Sequence, residues 1–385
     1  MGKCIITRRE TEQSGVYPTG TDGRPTGIVT VLDNVINLSK YLFIENVNVE
    51  SVNLPNSIES FSDYCFQKCT SLQKVVVPNK VTSIPQYCFD NCTALNSVTL
   101  PQSLTTIGQY AFQNCANLSD IIIPNEIGSL KINSYAFSDC SKLDNATITK
   151  LATKCTEPIK YAFADLIGIT EVTTAKVANY YFVNCTNLKK VTITEPSIDG
   201  GLAEYIFNKC SALTTVVLPE NTTKLNANIF NGNTNLLNVE IPTSVVNVGS
   251  RAFYNCKSIT ETIFPDGVTT VGSNVFYGCT SLKKVYLPSS ITTVTNSCLT
   301  TTTSSYYIFQ GCTNLEDVQL GQDWNMSLRL NVSDNLTAES IINMFNALKD
   351  LIGETAKTIT LGATNLAKLT NEQKLIAMNK NWTLA

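Results

Sequence analysis

A phenylalanine recurs along this chain at a nearly constant interval, and that interval limits the folds open to it. The anchors are Phe43, Phe66, Phe89, Phe112, Phe137, Phe163, Phe182, Phe207, Phe230, Phe253, Phe276 and Phe309, with a basic step of 23 residues. The step departs from 23 only between Phe112 and Phe207 (25, 26, 19 and 25) and before Phe309 (33). Three residues after most anchors stands a cysteine, with Asn46, Leu166 and Asn233 as the exceptions. Three further on stands a leucine, isoleucine or valine, then a short alternating run such as "VVV" at Val75 to Val77. Eight of these runs close at a proline, as at Pro78, Pro101 and Pro288.

A run of three to five residues with apolar positions two apart is a half-buried strand. Proline at its end removes a backbone donor and stops the pairing. A unit of 23 residues cannot bury a core by itself, so successive units must stack, each contributing one parallel strand. The fold class expected is therefore a parallel β-solenoid of about twelve coils, of leucine-rich type, with little helix in the repeats. Three divisions follow: residues 1–27 as a strand and turn-rich loop, 28–321 as the solenoid, and 322–385 as a cap. The cap expectation rests on helix signals: Thr337 as an N-cap before Ile341, Phe345 and Leu348, and a capping box from Thr370 to Gln373. An open solenoid end requires such a closing element. Between the two helices "ITLG" at Ile359 echoes "VQLG" at Val318.

The pattern from Ile107 to Pro124, I-x-x-x-A-F-x-x-C-x-x-L-x-x-I-x-I-P, resembles the BspA-like (Treponema-type) leucine-rich repeat family over roughly residues 28–321. The resemblance implies binding and adhesion rather than catalysis, in a family found largely at bacterial surfaces and in secreted proteins. It also implies that the cysteine column, like the asparagine that replaces it, meets backbone groups of the preceding coil. The tail resembles those of such proteins in gut Firmicutes and their prophages.

Composition removes most other chemistries. Histidine is absent, which takes away the usual general base and the commonest metal ligand. No phosphate-binding glycine loop or nucleophile elbow is present. The net charge is 28 − 31 = −3, with no block of like charge, so no nucleic-acid partner is expected. No run approaches the length of a membrane-spanning helix, and the start carries no apolar stretch of signal-peptide length. Family resemblance points to the cell surface, the missing signal to the cytoplasm, and a phage virion component satisfies both. No cofactor is expected. The cysteines read as small buried groups with free thiols. Cys65 and Cys88 fill a slot taken elsewhere by Ala111, Ala136, Ala162 and Ala252.

Two surfaces are candidates for binding a protein or a glycan. The outward position at mid-strand gives Asn53, Val76, Thr99, Ile122, Thr147, Thr173, Thr192, Val217, Glu240, Ile263, Tyr286 and Gln319, flanked by charges such as Lys284 and Glu261. An apolar stripe with a polar rim is the anatomy of an interface, although strand propensity alone also selects Val, Ile and Thr. The rival is a tyrosine column two residues before the anchors: Tyr41, Tyr64, Tyr87, Tyr110, Tyr135, Tyr161, Tyr180 and Tyr205, returning at Tyr307. It reads either as a packing ladder with hydroxyls at the solvent edge or as an aromatic platform. An intracellular scaffold and a structural virion component stand as the alternatives to adhesion.

Overall fold

The alternating runs form strands, and their inward residues make the core. The computed structural model describes residues 4–6, 25–196, 199–294 and 308–385. The chain is a parallel β-solenoid of about 15 turns spaced about 23 residues apart. It divides into two compact units, Met1–Leu188 and Lys189–Ala385. The turns beyond twelve lie outside the phenylalanine series, before Phe43 and after Phe309, where no anchor marks them.

In the first unit six parallel strands stand in coil order: Cys4–Ile6, Gly27–Val31, Val49–Asn53, Lys74–Val76, Ser97–Thr99 and Asp120–Ile122. Val75, Val98 and Ile121 point inward and are buried, while Val76, Thr99 and Ile122 alternate outward in register. Shorter strands, among them Ser83–Ile84, Thr106–Ile107 and Lys131–Ile132, form a second column. The third side is the phenylalanine turn. There Phe66 N–H donates to Cys88 O at 2.9 Å and Phe89 N–H to Ala111 O at 2.8 Å. The rings of Phe43, Phe66, Phe89, Phe112 and Phe137 stack with centroids 5.0 to 5.4 Å apart.

This turn is tight enough to force the left-handed backbone region twice per coil. Tyr64 (φ 61°) and Lys68 (φ 58°) flank Phe66, and Tyr87 (φ 54°) and Asn91 (φ 59°) flank Phe89. A non-glycine residue there costs roughly 1–2 kcal/mol, least for asparagine. In the second unit the same two slots pass to Asn228 and Gly232, then to Asn274 and Gly278, residues that adopt this conformation readily.

One coil of the first unit departs from the expected strand. Thr147 does not lie at mid-strand but in a ten-residue helix, Asn145–Lys154, which takes the strand's place between Asp120–Ile122 and Glu171–Thr174. The sequence there reads at helical spacing: Ile148, Leu151 and Ala152 are buried, and the Asp144 carboxylate accepts the Thr147 N–H at 2.8 Å as N-cap. The step of 26 residues to Phe163 gives the helix room. A helix presents no edge for strand pairing, so the backbone of the preceding coil finds other donors. Lys150 Nζ donates to Ile123 O and Lys154 Nζ to Ile127 O, each at 2.6 Å.

In the second unit the strands Glu261–Ile263, Lys284–Leu287 and Asp317–Leu320 are parallel and in register, and Phe207, Phe230, Phe253, Phe276 and Phe309 continue stacked. The helix Ala338–Ala347 follows, capped by the Thr337 hydroxyl, which accepts the Ser340 N–H at 3.0 Å. Ser340 Oγ in turn accepts the Val318 N–H at 2.9 Å, so the helix lies against the last strand of that ladder. The helix Asn371–Met378 opens on the full capping box of Thr370 and Gln373. The echo of "VQLG" in "ITLG" does not unite the two segments. Ile359 pairs with Leu328 and Leu384, in a separate parallel sheet of Leu328–Arg329, Lys357–Thr360 and Trp382–Leu384.

Candidate recognition surfaces

The cysteines are packing residues with a specific hydrogen bond. Cys69, Cys92, Cys115 and Cys140 each donate Sγ–H to the carbonyl of the phenylalanine one coil back, Phe43, Phe66, Phe89 and Phe112, at 3.0 to 3.1 Å. Where asparagine replaces cysteine, Asn233 Nδ2 reaches Phe207 O at 2.8 Å, so both residue types serve one carbonyl. None of the twelve cysteines whose side chains are described is in a disulfide, and all twelve are buried. Burial pushes the thiols of Cys65, Cys88 and Cys92 well above their ordinary value, and that of Cys279 up to about 12. Among the described residues, no three His, Cys, Asp or Glu side chains converge as a metal site.

The tyrosine column is a continuous stack in the first unit. From Tyr41 through Tyr64, Tyr87, Tyr110, Tyr135 and Tyr161 to Tyr180, neighbouring ring centroids lie 4.8 to 5.3 Å apart. All pairs but the first lie within 20° of parallel. Each inner ring has both faces covered by its neighbours, and the Lys40 ammonium sits 4.8 Å from the Tyr41 ring centroid. What remains exposed is a row of ring edges and hydroxyls. Partial burial, then the neighbouring phenols, raise the pKa of Tyr87 and of Tyr135 above the ordinary phenol value. Tyr307 and the Thr-rich segment 296–307 lie outside the described residues.

Two groups of outward strand residues contain the most exposed aliphatic members of regular ladders, one in each unit. In the first, Val76, Thr99 and Ile122 are neighbours, with Val76 52 % and Ile122 47 % exposed. Beside them run Lys74, Ser97 and Asp120, where Ser97 Oγ donates to Asp120 Oδ2 at 3.0 Å. In the second, Ile263, Tyr286 and Gln319 are neighbours, and Ile263 is 57 % exposed. The flanking column is Glu261, Lys284 and Asp317, with Lys284 Nζ 3.3 Å from Glu261 Oε1. Tyr286 is pinned: its hydroxyl donates to Asp266 Oδ1 at 2.8 Å, and burial together with that bond raises its pKa above the ordinary phenol value. Glu240 lies one coil before Ile263 and is exposed, but in a segment with no strand of its own.

The sequence reading passed over Leu237. It stands seven residues after its anchor, where Gln73, Asn96, Ser119, Thr260, Lys283 and Glu316 stand in other coils. It is 57 % exposed. An aliphatic residue in an otherwise polar column was the available signal.

No described helix is long and apolar enough to cross a membrane. No curated protein matches the sequence. Among solved structures, a leucine-rich repeat protein from Bacteroides ovatus aligns with a TM-score of 0.50 at 22 % identity, covering 76 % of this chain and 86 % of that one. A leucine-rich cell surface protein from Faecalibacterium prausnitzii aligns at 0.38 and 17 % identity, covering 83 % and 88 %. The pneumococcal vaccine antigen PcpA aligns at 0.41 and 17 %, covering 93 % and 88 %. The profile of the BspA type leucine rich repeat region matches residues 28–144, 129–201, 200–306 and 234–341. The coil geometry, the cysteine-to-carbonyl bonds and this match across most of the sequence make the chain a member of the BspA-type leucine-rich repeat family.

Proposed function

We propose that this chain is a non-enzymatic recognition protein of the adhesion kind, binding a protein partner through its outward strand residues. The family is generally one of protein interaction and adhesion. The observation that carries the reading is the group around Ile263. An exposed aliphatic side chain and a pinned tyrosine stand on adjacent strands of one ladder, rimmed by the Glu261–Lys284 pair. Interface energy concentrates in rigid apolar and aromatic anchors surrounded by a polar rim. Strand backbones also hold these groups without the ordering penalty that a loop would carry. Residues 28–321 are the recognition solenoid in this reading, 1–27 lead into it, and 322–385 close it.

The tyrosine column serves a glycan less well than its composition suggests. Sugars stack on aromatic faces, and here the faces of Tyr64, Tyr87, Tyr110 and Tyr135 are covered by one another. A protein partner on the strand residues is therefore preferred to a glycan on the tyrosines. Printed arrays of peptides and of glycans, probed with the full chain, test this. Spots bound by the unaltered protein are expected to be lost with Ile263→Ser/Tyr286→Ser and kept with Tyr87→Ser/Tyr110→Ser. The opposite pattern would move the site to the tyrosine column.

A further inference from the structure

The parallel ladder of the second unit lapses around Asn238, where the segment from Leu237 to Ile241 forms no strand with either neighbouring coil. Thr215–Val217 pairs along its length with Lys190–Ile193 on one side. On the other it meets the next coil only through an isolated bridge from Thr215 to Asn238. In regular coils the residue after the strand donates its N–H to the following coil. Val77 donates to Thr99 O at 3.0 Å, Leu100 to Ile122 O at 3.0 Å and Phe264 to Tyr286 O at 3.2 Å. Among the described residues, Leu218 makes no such bond with the coil of Glu240. The two coils enclose a slot of about 410 Å³ instead, running the length of the strand.

Its lining combines three features. Val217 and Leu237 are exposed aliphatic groups, and Ile241, whose counterparts Val77, Leu100 and Leu287 are buried, is only half-buried. Glu220 and Glu240 also line the slot, and neither carboxylate has a hydrogen-bond or ion-pair partner among the described residues. Their neighbour Glu261, by contrast, is paired with Lys284. The open Leu218 N–H is a backbone donor awaiting an acceptor.

We propose that this slot binds an extended segment of a partner protein and seats one of its lysine or arginine side chains. Such a side chain has an apolar stem and a charged head. The stem fits against Val217 and Leu237, and the head meets the carboxylates of Glu220 and Glu240. A carbonyl group of an extended chain accepts from the open Leu218 N–H, as in recognition by strand addition. An anionic ligand would face two uncompensated carboxylates, and a sugar would find no aromatic face in the slot. The proposal rests on the strand-side reading above and names the chemistry of the partner.

The test uses the full chain and a fluorescein-labelled, end-blocked pentapeptide, Val-Thr-Arg-Thr-Val, read by anisotropy at low salt. Saturable binding is expected. It should weaken tenfold or more in Glu220→Gln/Glu240→Gln, weaken likewise in Leu237→Ser, and fall with rising ionic strength. The peptide with Glu in place of Arg should not bind. The Leu218 amide should exchange slowly only in the complex. All three substitutions are at exposed side chains, and an unchanged melting curve verifies folding. No binding of the arginine peptide, or equal binding to the double glutamine variant, overturns the slot. If that happens while array ligands are still lost in Ile263→Ser/Tyr286→Ser, the slot falls and the broader reading stands. If array ligands ignore Ile263 and Tyr286 while the peptide still requires the glutamates, the broader reading falls and the slot stands.

Discussion

Cys92 Sγ lies 3.0 Å from the carbonyl oxygen of Phe66, one coil earlier, and donates its proton to it. The same bond recurs at Cys256 with Phe230 and at Cys279 with Phe253. The thiol is therefore held as a donor, and a thiolate would lose that role inside an apolar core. Burial raises these thiols above the ordinary 9.0, to about 12 for Cys279. The sign of the linkage follows. Between the unfolded and folded values the native state binds more protons, so stability falls as pH rises. The thiol contribution should be complete below the ordinary thiol value and decline above it. Urea melts across the alkaline range should show this decline, and in the native protein the buried thiols should resist a thiol reagent until unfolding. Rapid native labelling of Cys92 would contradict the packing account.

Phe112 stacks between Phe89 and Phe137 and is fully buried. Phe112→Ala removes both ring contacts and leaves a cavity that two rigid coils cannot close. A loss of about 3–5 kcal/mol is expected in a denaturant melt. A loss under about 1 kcal/mol would show that the coils collapse into the space.

Tyr87 has φ 54° and is stacked on both sides. Two terms oppose each other there: the left-handed backbone disfavours any side chain, and ring stacking offsets that by about 0.5–1.5 kcal/mol per pair. Tyr87→Ala loses the stacking and keeps the strain, whereas Tyr87→Gly loses both. Glycine should thus be the milder change by about 1 kcal/mol, the reverse of its usual rank. Thermal melts of the two variants check this, and alanine proving milder would refute it.

The same tyrosines mark where the sequence was legible and where it was not. The register of Phe, Cys and Leu predicts the coil, because each of those side chains is selected by the core it enters. The left-handed turn was hidden because tyrosine is a poor marker of that backbone. The asparagines and glycines in the same two slots of several coils, such as Asn91, Asn228, Gly232, Asn274 and Gly278, betray it. The helix at Asn145–Lys154 was hidden by the repeat itself. Thr147 falls in the strand register, yet Ile148, Leu151 and Ala152 follow a helical one, and burial of those three decided. Among candidate site residues, Ile263 and Tyr286 were readable as outward positions. The slot beside Glu240 was not, since it depends on backbone pairs that fail to form.

Lys380 carries the last prediction. Its ammonium donates to Asn346 O and Leu348 O at 2.9 Å and to Phe345 O at 3.3 Å. These carbonyls stand at the C-terminal end of Ala338–Ala347, where helical carbonyls lack partners and the helix dipole favours a positive charge. Lys150 and Lys154 do the corresponding work for the coil before Asn145–Lys154. Lys380→Met keeps the stem and removes the donor. Each lost bond from a charged donor is worth about 1.5–3 kcal/mol where buried. Lys380 is half-buried and water can replace part of the set, so the expected loss is about 1–2 kcal/mol. Hydrogen exchange should accelerate at the end of Ala338–Ala347 and at Leu351, whose N–H donates to Lys380 O at 3.0 Å. Unchanged stability with unchanged exchange would show that solvent satisfies those carbonyls as well as the lysine does.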